Sequence, residues 1–297
     1  MPLESIALSF VPQLGVRGAA YLVDCFGSAR AVYRASKEEL VERCELREDV
    51  ARAITLKKGF AEADREIAYC KAHGIEAVGC DQEHYPRLLR EIEDFPTAIY
   101  VRGDVGALSR RTVAFVGTRK VSSYGQRMCD RLVQELHELL PDVVIVSGLA
   151  YGIDIASHKA ALEHGLPTIG IVAHGLDRIY PHVHRQYASQ MIQSGGAIVT
   201  EYLSKTTPDP QNFVQRNRIV AGLSDVVVVV ESAIKGGSLI TANIANDYNR
   251  DVMAFPGRVG DKTSEGCNKL IRQHKAEIIT SAEDLINLMG WTAPEKN

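Results

Sequence analysis

A short stretch from Val113 to Lys120 joins an apolar strand to residues suited to bind phosphate. Its sequence is VAFVGTRK, so the strand runs directly into Gly117, Thr118, Arg119 and Lys120. A glycine after a buried strand exposes backbone N–H groups, and the Arg119 guanidinium can donate two parallel hydrogen bonds to one phosphate. The stretch therefore predicts a phosphate site. The phosphate could belong to a mononucleotide cofactor or to the backbone of a nucleic acid.

Two further glycine-rich loops follow predicted strands. Helix N-termini after such loops attract anions, because their N–H groups are unpaired and the helix dipole is positive there. Glycines are equally expected in the tight turns of any strand–helix fold, so SGLAYGID alone does not establish a ligand site. The candidate binding residues of the two loops are Ser147, Gly148, Gly152, Lys235, Gly236, Gly237 and Ser238.

The segment NFVQRNRIV places an aromatic residue beside two arginines. Phe213 precedes Arg216 and Arg218, with Asn217 between them. This composition is typical of sites for single-stranded nucleic acid, where bases stack on a ring and cations bind the backbone. In the alternative, Phe213 packs beneath the sheet and Arg216 pairs with a carboxylate such as Glu231. The residues alone leave both readings open.

The elements that must position these residues form a strand–helix alternation from residue 112 onward. The run from Val226 to Val230 has no polar side, so we expect a strand buried on both faces, as in a parallel sheet. The alternation predicts an α/β fold with an extended Rossmann-like, doubly wound, mostly parallel sheet. In such a sheet ligands bind beyond the carboxyl ends of the strands, where all three candidate segments are expected to lie.

The first sixty residues predict a small all-α domain of the SAM-like or helix-hairpin-helix type. Apolar residues recur at helical spacing, with breaks at Pro12, Gly15 and Gly27, and Ser36 with Glu39 matches a capping box. The turn QLGVRG holds a single cation, which favours a packing role over contact with DNA. The predicted division is a helical domain (1–60), a connecting segment with a sheet extension (61–110), a Rossmann-like DNA-binding domain (111–290) and a tail (291–297).

Composition limits the classes of protein and site. The 297 residues carry a formal net charge of -3, so a phosphate site must be a local patch rather than a basic surface. The six cysteines form no C-x-x-C pair and lie in no histidine cluster, which argues against metal and disulfides and favours reduced thiols in the cytoplasm. No signal peptide or membrane-spanning run is predicted.

Several common cofactor motifs are missing from the sequence. The first strand of the alternation is not followed by G-x-G-x-x-G, which argues against a dinucleotide cofactor. The G-x-x-x-x-G-K-[ST] loop of P-loop ATPases and the G-x-S-x-G elbow are absent as well. We therefore expect no cofactor.

Taken together, these segments resemble the DNA processing protein A family, also called Smf. The resemblance covers about Tyr85 to Ile279 in matching order and spacing, and the N-terminal helices are similar to the family's SAM-like domain. Val214 departs from the family, since a proline often follows that aromatic residue. Many members end in a winged-helix domain, which would lie beyond Trp291. The matching segments are YPRLLREIEDFPTAIYVRGD, VAFVGTRKVSSYG, IVSGLAYGIDIASHKAAL, GLDRIYP, RNRIVAGLSDVVVVVESAIKGGSLITAN and FPGRVGDKTSEGCNKLI.

The resemblance implies a function as well as a fold. It implies a single-stranded-DNA-binding protein of natural transformation that protects incoming strands, loads the RecA recombinase onto them and forms a homodimer. No catalytic reaction is attached to the family's fold. By match of motif, it implies DNA binding by Gly117, Thr118, Arg119, Phe213, Arg216, Asn217, Gly236, Gly237, Ser238 and Thr241.

Residues and resemblance together predict a mode of binding and two rival functions. Arg119 and the helix N-termini bind phosphates and Phe213 stacks on a base, while Arg216, Arg218 and Lys235 form a basic rim. One rival is an enzyme, because KGGSLITAN is similar to the P-G-G-x-G-T-x-x-E loop of Rossmann-like nucleotide phosphoribohydrolases. Asn243 stands at the position of that loop's carboxylate, and an amide cannot act as a base. The other rival is a protein adaptor with a vestigial pocket.

Overall fold

The structure is a computed structural model, and it describes residues 2–292. Six helices form the first part of this range. α4 begins with the predicted capping box, in which Ser36 Oγ accepts from the Glu39 N–H (3.1 Å) and the Glu39 carboxylate accepts from the Ser36 N–H (2.8 Å). α2 ends at Gly27, whose φ of 85° is the left-handed conformation that favours glycine. The bounds are Leu3–Leu8 (α1), Gly15–Phe26 (α2), Ala29–Arg34 (α3), Lys37–Cys44 (α4), Glu48–Thr55 (α5) and Phe60–Ala72 (α6).

Nine strands within residues 2–292 form a single sheet, in the order β1-β2-β6-β5-β4-β3-β7-β8-β9. Strands β3 to β9 run parallel to one another. β2 pairs antiparallel with both β1 and β6, so the first two strands extend the parallel sheet at one edge. The bounds are Glu76–Gly79 (β1), Ala98–Gly103 (β2), Thr112–Gly117 (β3), Val144–Ser147 (β4), Thr168–Ile171 (β5), Ala197–Thr200 (β6), Val226–Glu231 (β7), Asp251–Ala254 (β8) and Glu277–Ile278 (β9).

The later helices cover both faces of this sheet. On one face Phe115 and Val228 pack with Leu132 of α8 and Leu285 of α14. On the other face the alternate side chains of β3 and β7 pack with α11 and α12. The predicted doubly wound α/β architecture is confirmed. The bounds are Arg87–Glu91 (α7), Ser123–Leu139 (α8), Ile153–His164 (α9), Arg185–Gln193 (α10), Pro210–Leu223 (α11), Gly237–Asp247 (α12), Glu265–Arg272 (α13) and Ala282–Leu288 (α14), with 3₁₀ turns at Val105–Ser109 and His182–His184.

The chain reverses its direction across the sheet beside β3. Strands β4, β5 and β6 extend to one side of β3, and β7, β8 and β9 extend to the other. The loops that leave β3 and β7 therefore turn toward opposite faces and open a crevice at the carboxyl ends of the strands. This is the place where open α/β sheets bind their ligands.

The N-terminal helices share a core with the sheet. Leu22 of α2 and Ile54 of α5 belong to the same buried apolar cluster as Ile99 of β2 and Val146 of β4. The predicted domain bounds stay a prediction, because a shared core does not mark a boundary. In the predicted tail, Trp291 packs against the sheet, and residues 293–297 lie outside the described residues.

Two classes of feature are absent from the described residues. No helix in residues 2–292 has both the length and the apolar composition needed to cross a membrane. No three His, Cys, Asp or Glu side chains in the same range converge as ligands of a metal ion. The six cysteines are unpaired, and burial raises the pKa of the Cys44 thiol to about 11, so that thiol is protonated and unreactive at neutral pH.

Candidate functional site

A cavity of about 680 Å³ occupies the crevice at the carboxyl ends of β3, β4 and β7. Helix α11 and the N-terminus of α12 complete its wall. Eleven of the sixteen predicted binding residues line it, so three segments that are far apart in sequence meet in one place. These residues are Gly117, Thr118, Arg119, Gly148, Phe213, Arg216, Asn217, Gly236, Gly237, Ser238 and Thr241.

The loop after β3 is held in place by backbone contacts. The Thr118 N–H donates to the Glu231 carbonyl of β7 (2.7 Å), and the Ile153 N–H donates to the Thr118 carbonyl (3.1 Å). Gly152 has φ of 81°, and a Cβ there would collide with the Thr118 carbonyl. Gly152 is not among the described residues that line the cavity. Because it has no side chain, the start of α9 can approach the Arg119 loop closely.

Arg119 is exposed and lies beside an aromatic pair. Its guanidinium carbon is 5.9 Å from the centre of the Phe213 ring, a cation–π contact. The Tyr180 ring centre lies 5.7 Å from that of Phe213, with the ring planes inclined at 51°. A cation for phosphate and a surface for a base therefore stand side by side at the mouth of the cavity.

The N-terminus of α12 supplies a second anion-binding element. Gly236 is its N-cap and Gly237 its first residue, and both line the cavity. No atom lies within 4 Å of a Cβ placed at Gly237, so the space in front of this backbone is open. Ser238 Oγ donates to Ser232 Oγ (2.8 Å) inside the protein, which fixes the loop. The Gly236 N–H donates to the Ala233 carbonyl (2.9 Å) and the Leu239 N–H to the Gly236 carbonyl (3.1 Å), so the Gly237 and Ser238 N–H groups are the ones left to bind an anion.

Arg216 forms part of the cavity floor rather than its rim. The side chain is 95% buried, its Nη1 donates to the Ile171 carbonyl (2.6 Å), and its guanidinium lies where a Cβ of Gly148 would be. Arg216 Nε is buried with no hydrogen-bond partner among the described residues. Asp154 also lines the cavity, and burial raises the pKa of the Asp154 carboxyl, while the Arg216 guanidinium opposes that rise. The floor thus holds a buried cation and a carboxyl whose charge states influence each other.

Arg218 is outside the cavity, which corrects the expected basic rim. Its guanidinium is buried, bonded to the Glu201 carboxylate and to the Asp94 carbonyl (2.8 Å), and near the Asp94 carboxylate (3.9 Å). Residues two apart on a helix point about 200° apart, so Arg216 and Arg218 cannot share one rim. The Arg218 guanidinium is therefore bonded within the protein and does not face the cavity.

The remaining predicted residues flank the cavity. Ser147 is buried, and its hydroxyl donates to the Phe115 carbonyl (2.7 Å), which ties β4 to β3. Lys120 and Lys235 are exposed, next in sequence to Arg119 and to Gly236. Both lysines can add positive charge around the mouth without contacting a ligand at the floor.

The segment that leads into α11 is clamped from two sides. The Glu66 carboxylate of α6 accepts from the Ser204 N–H (2.7 Å) and the Ser204 hydroxyl (2.6 Å). Asp177 Oδ1 accepts from the Lys205 N–H (2.9 Å). The clamp positions Pro208, which lines the cavity a few residues further on.

Sequence reasoning missed several lining residues. Tyr180 belongs to GLDRIYP, but nothing in that segment shows that its ring lies beside Phe213. Asp154 stands in the first turn of α9, where an acidic residue is expected simply to stabilise the helix dipole, but it lines the cavity. Pro208, Val214 and Ile240 add apolar wall, and nothing in their local sequence marks them as site residues.

The comparisons with known proteins cover most of the chain. The sequence model of the family described as DNA recombination-mediator protein A matches residues 76–290. DNA processing protein DprA of Bacillus subtilis is 37% identical over 243 residues, 82% of this chain and 79% of that protein. Protein Smf of Escherichia coli is 39% identical over 213 residues, 70% of this chain but 55% of the longer relative.

Solved structures agree in fold. The X-ray structure of DNA processing protein A from Streptococcus pneumoniae superimposes with a TM-score of 0.82 at 30% identity, covering 97% of each chain. The corresponding protein of Helicobacter pylori, whose structure concerns a single-stranded DNA binding mode, gives a TM-score of 0.64 at 31% identity over 72% of this chain and 95% of that one. By its sequence, its fold and the segments that meet at its cavity, the chain belongs to the DNA recombination-mediator protein A family.

Proposed function

We propose that this protein binds single-stranded DNA in the cavity, without reading its sequence, as part of the processing of incoming DNA during transformation. The observation that carries the proposal is the placement of the Arg119 guanidinium beside the Phe213 and Tyr180 rings at the mouth of a cavity that also contains the α12 N-terminus. A nucleic acid presents both phosphates and bases, and the cavity offers a surface suited to each.

The phosphate contacts come from charge and backbone together. Arg119 offers a forked donor, and the N–H groups at the start of α12 add a fixed partial positive charge. Neither group reads a base edge, so binding is independent of sequence. A chain with a net charge of -3 can still hold DNA in this way, because the positive potential is confined to the crevice.

The aromatic pair supports a preference for single strands. Stacking of a base on an aromatic ring contributes about 1–3 kcal/mol per base. The bases of a duplex are already stacked and paired, so they cannot reach Phe213 or Tyr180 without opening the helix. A flexible single strand presents its bases without that cost.

We propose further that the site binds and does not catalyse. Asn243, at the carboxylate position of the phosphoribohydrolase-like loop, donates from Nδ2 to the Leu239 carbonyl (2.8 Å) and accepts from Lys275 Nζ (3.0 Å). Its amide is engaged within the protein, and it is not among the described residues that line the cavity. These contacts support the absence of a base for chemistry at a ribose.

The wider role follows the family resemblance. We propose that the protein acts in the cytoplasm as a homodimer, protects incoming strands and loads RecA onto them. One cavity covers few nucleotides, and two cavities on one strand would raise the overall affinity by about 10²–10⁴ if both can be occupied together. Light scattering for the oligomeric state and single-stranded-DNA-dependent ATP hydrolysis by RecA, with and without this protein, test these two points.

The DNA-binding proposal is tested by fluorescence anisotropy with labelled oligo-dT and a matched duplex, at two salt concentrations. We expect tight binding of oligo-dT only, weakened by salt. Arg119→Ala should weaken binding at least tenfold and lower the dependence of log affinity on log salt by about 0.7, the value for one phosphate contact.

Arg34→Ala, which removes an exposed arginine on α3, serves as the matched control and should bind as the wild type does. A folded wild type that binds no oligo-dT contradicts the proposal. Equal binding of duplex and single strand contradicts the stacking part of it.

A further inference from the structure

A second aromatic group lies just outside the cavity. The Tyr151 ring centre is 5.1 Å from that of His184, and the His184 ring centre is 6.5 Å from that of Tyr187. The His184 ring is buried, and its Nδ1 is 2.8 Å from the Leu149 carbonyl, so it acts as a fixed support for its neighbours. Tyr151 itself is 49% exposed and Val183 is 65% exposed. We call Tyr151, Val183 and Tyr187 the Tyr151 surface.

The Tyr151 surface is continuous with the cavity. Tyr151 stands between Ala150, which lines the cavity, and Gly152, whose Cα lies against the backbone of Thr118 and Arg119. On the other side, Tyr180 of the cavity mouth leads directly into the 3₁₀ turn that carries Val183. A strand leaving the cavity past Arg119 or Tyr180 therefore meets this surface next.

The charges around the Tyr151 surface suit a nucleic acid backbone. Lys159 Nζ lies 4.7 Å from the centre of the Tyr187 ring, and Arg185 is exposed at the start of α10. No ion pair formed within residues 2–292 involves either cation, so both can meet phosphates. Exposed aromatic rings with cations beside them are the composition of single-strand binding surfaces.

We propose that the Tyr151 surface is a second base-stacking segment, on which a single strand continues after it leaves the cavity. The inference rests on the proposed function and adds to it the path of the strand. Tyr151 presents the open ring, Val183 adds apolar contact, and Lys159 and Arg185 meet the backbone. The cavity then holds one short section of the strand, and the Tyr151 surface holds the section that follows.

The length of the oligonucleotide separates the two segments. We would measure the affinity of an oligo-dT of about 4 nucleotides and of one of about 15, the range of site sizes seen for single-strand binding folds. The variants are Tyr151→Ala, Tyr151→Phe, which keeps the ring, and Val183→Ala. Tyr21→Ala removes an equally exposed tyrosine on α2 and is the control. Thermal unfolding shows that each variant is folded.

We expect Tyr151→Ala to weaken binding of the long oligomer about fivefold or more, while binding of the short oligomer is unchanged. Tyr151→Phe should keep the wild-type affinity for both oligomers. Val183→Ala should lower the affinity for the long oligomer only, and by less than Tyr151→Ala does. With 2-aminopurine placed along the long oligomer, quenching at the stacked position should disappear in Tyr151→Ala.

The outcomes separate a failure of this inference from a failure of the proposed function on which it rests. If the wild type binds both oligomers and Tyr151→Ala binds each of them with the wild-type affinity, the Tyr151 surface does not hold DNA and the cavity proposal stands. If the wild type binds neither oligomer, the proposed function fails, and this inference fails with it. An equal loss for both lengths would place Tyr151 within the first segment and overturn the two-segment path.

Discussion

Helix α11 separates two charged regions that use arginine in opposite ways. On the cavity side Arg119 is exposed, contacts an aromatic ring and takes part in no ion pair within the described residues. Behind the helix, Arg218 is sealed between the Glu201 carboxylate and Asp94, and the Tyr248 hydroxyl also bonds to Asp94. We call Arg218, Glu201, Asp94 and Tyr248 the buried cluster.

The difference shows what each arrangement can do. A hydrated arginine can exchange water for phosphate at small cost, so it can bind and release a ligand. A buried arginine has already exchanged its water for carboxylates, and removing it leaves those carboxylates uncompensated. The cavity should therefore control affinity with little effect on stability, and the buried cluster should control stability.

The largest expected effect is on the buried cluster. Arg218→Ala should lower the free energy of unfolding by about 3–5 kcal/mol, because Glu201 and Asp94 would be left as unpaired buried charges. Urea denaturation followed by circular dichroism measures this change. Arg119→Ala, at an exposed site, is the control and should change the free energy of unfolding by less than about 0.5 kcal/mol. An equal fall in the free energy of unfolding in the two variants would contradict the distinction between the buried cluster and the cavity.

Gly148→Ala tests where the two roles meet. A methyl group at this position would collide with the Arg216 guanidinium, and displacing that buried side chain should cost about 1–3 kcal/mol of stability. Oligo-dT affinity should fall as well, since the cavity floor moves. Gly237→Ala also adds a methyl group to the cavity wall, but no atom lies within 4 Å of it, so its unfolding midpoint should stay unchanged. The pair is compared by urea denaturation and anisotropy.

Phe213→Ala sharpens the cavity side of the contrast. The loss of base stacking should weaken oligo-dT binding by about 1–2 kcal/mol, while the salt dependence stays as in the wild type because no phosphate contact is removed. Arg119→Ala should instead reduce the salt dependence. Anisotropy titrations over a range of salt concentrations separate the two effects. A reduced salt slope for Phe213→Ala would show that the ring acts mainly by holding Arg119.

The smallest effect expected is in the pH dependence of stability. Burial raises the pKa of the Glu201 carboxyl above its ordinary value, although Arg218 opposes that rise. The folded state then binds this proton more tightly than the unfolded state, so stability falls as pH rises through the window between the ordinary and the raised pKa. The slope is at most about 1.4 kcal/mol per pH unit for one group.

The window should extend to higher pH in Arg218→Ala, which loses the cation that opposes the rise of the Glu201 pKa. The contribution should disappear in Glu201→Gln, which has no proton to bind. Denaturation midpoints from about pH 4, just below the ordinary glutamate pKa, to about pH 8 measure this window. Parallel pH profiles for all three proteins would show that Glu201 keeps an ordinary pKa.

Much of the fold was predictable because its central strands are buried on both faces. The valine run at 226–230 lies in β7 and the run VAFVG lies in β3, and both strands are buried along almost their whole length. The loops of the site were predictable for a related reason, since parallel strands bring their carboxyl ends to one edge. Eleven of the sixteen predicted residues consequently line the cavity.

The roles of the two α11 arginines were not predictable from local sequence. Their partners are distant along the chain: Ile171 for Arg216, and Asp94 with Glu201 for Arg218. A count of positive charges in NFVQRNRIV cannot show that helical geometry turns one arginine to the floor and the other away. Tyr180 was missed for the same reason, because its place beside Phe213 depends on how two loops meet.

The Glu66 clamp ties the site to a helix that precedes the sheet. The family's sequence model begins at residue 76, and the predicted Rossmann-like domain begins at residue 111, so both leave out α6. A fragment cut at either position would keep every residue of the cavity and lose the carboxylate that anchors Ser204. The smallest fragment with a fully formed site must therefore include α6 as well as the residues that line the cavity. Truncations meant to isolate the site should start before Phe60.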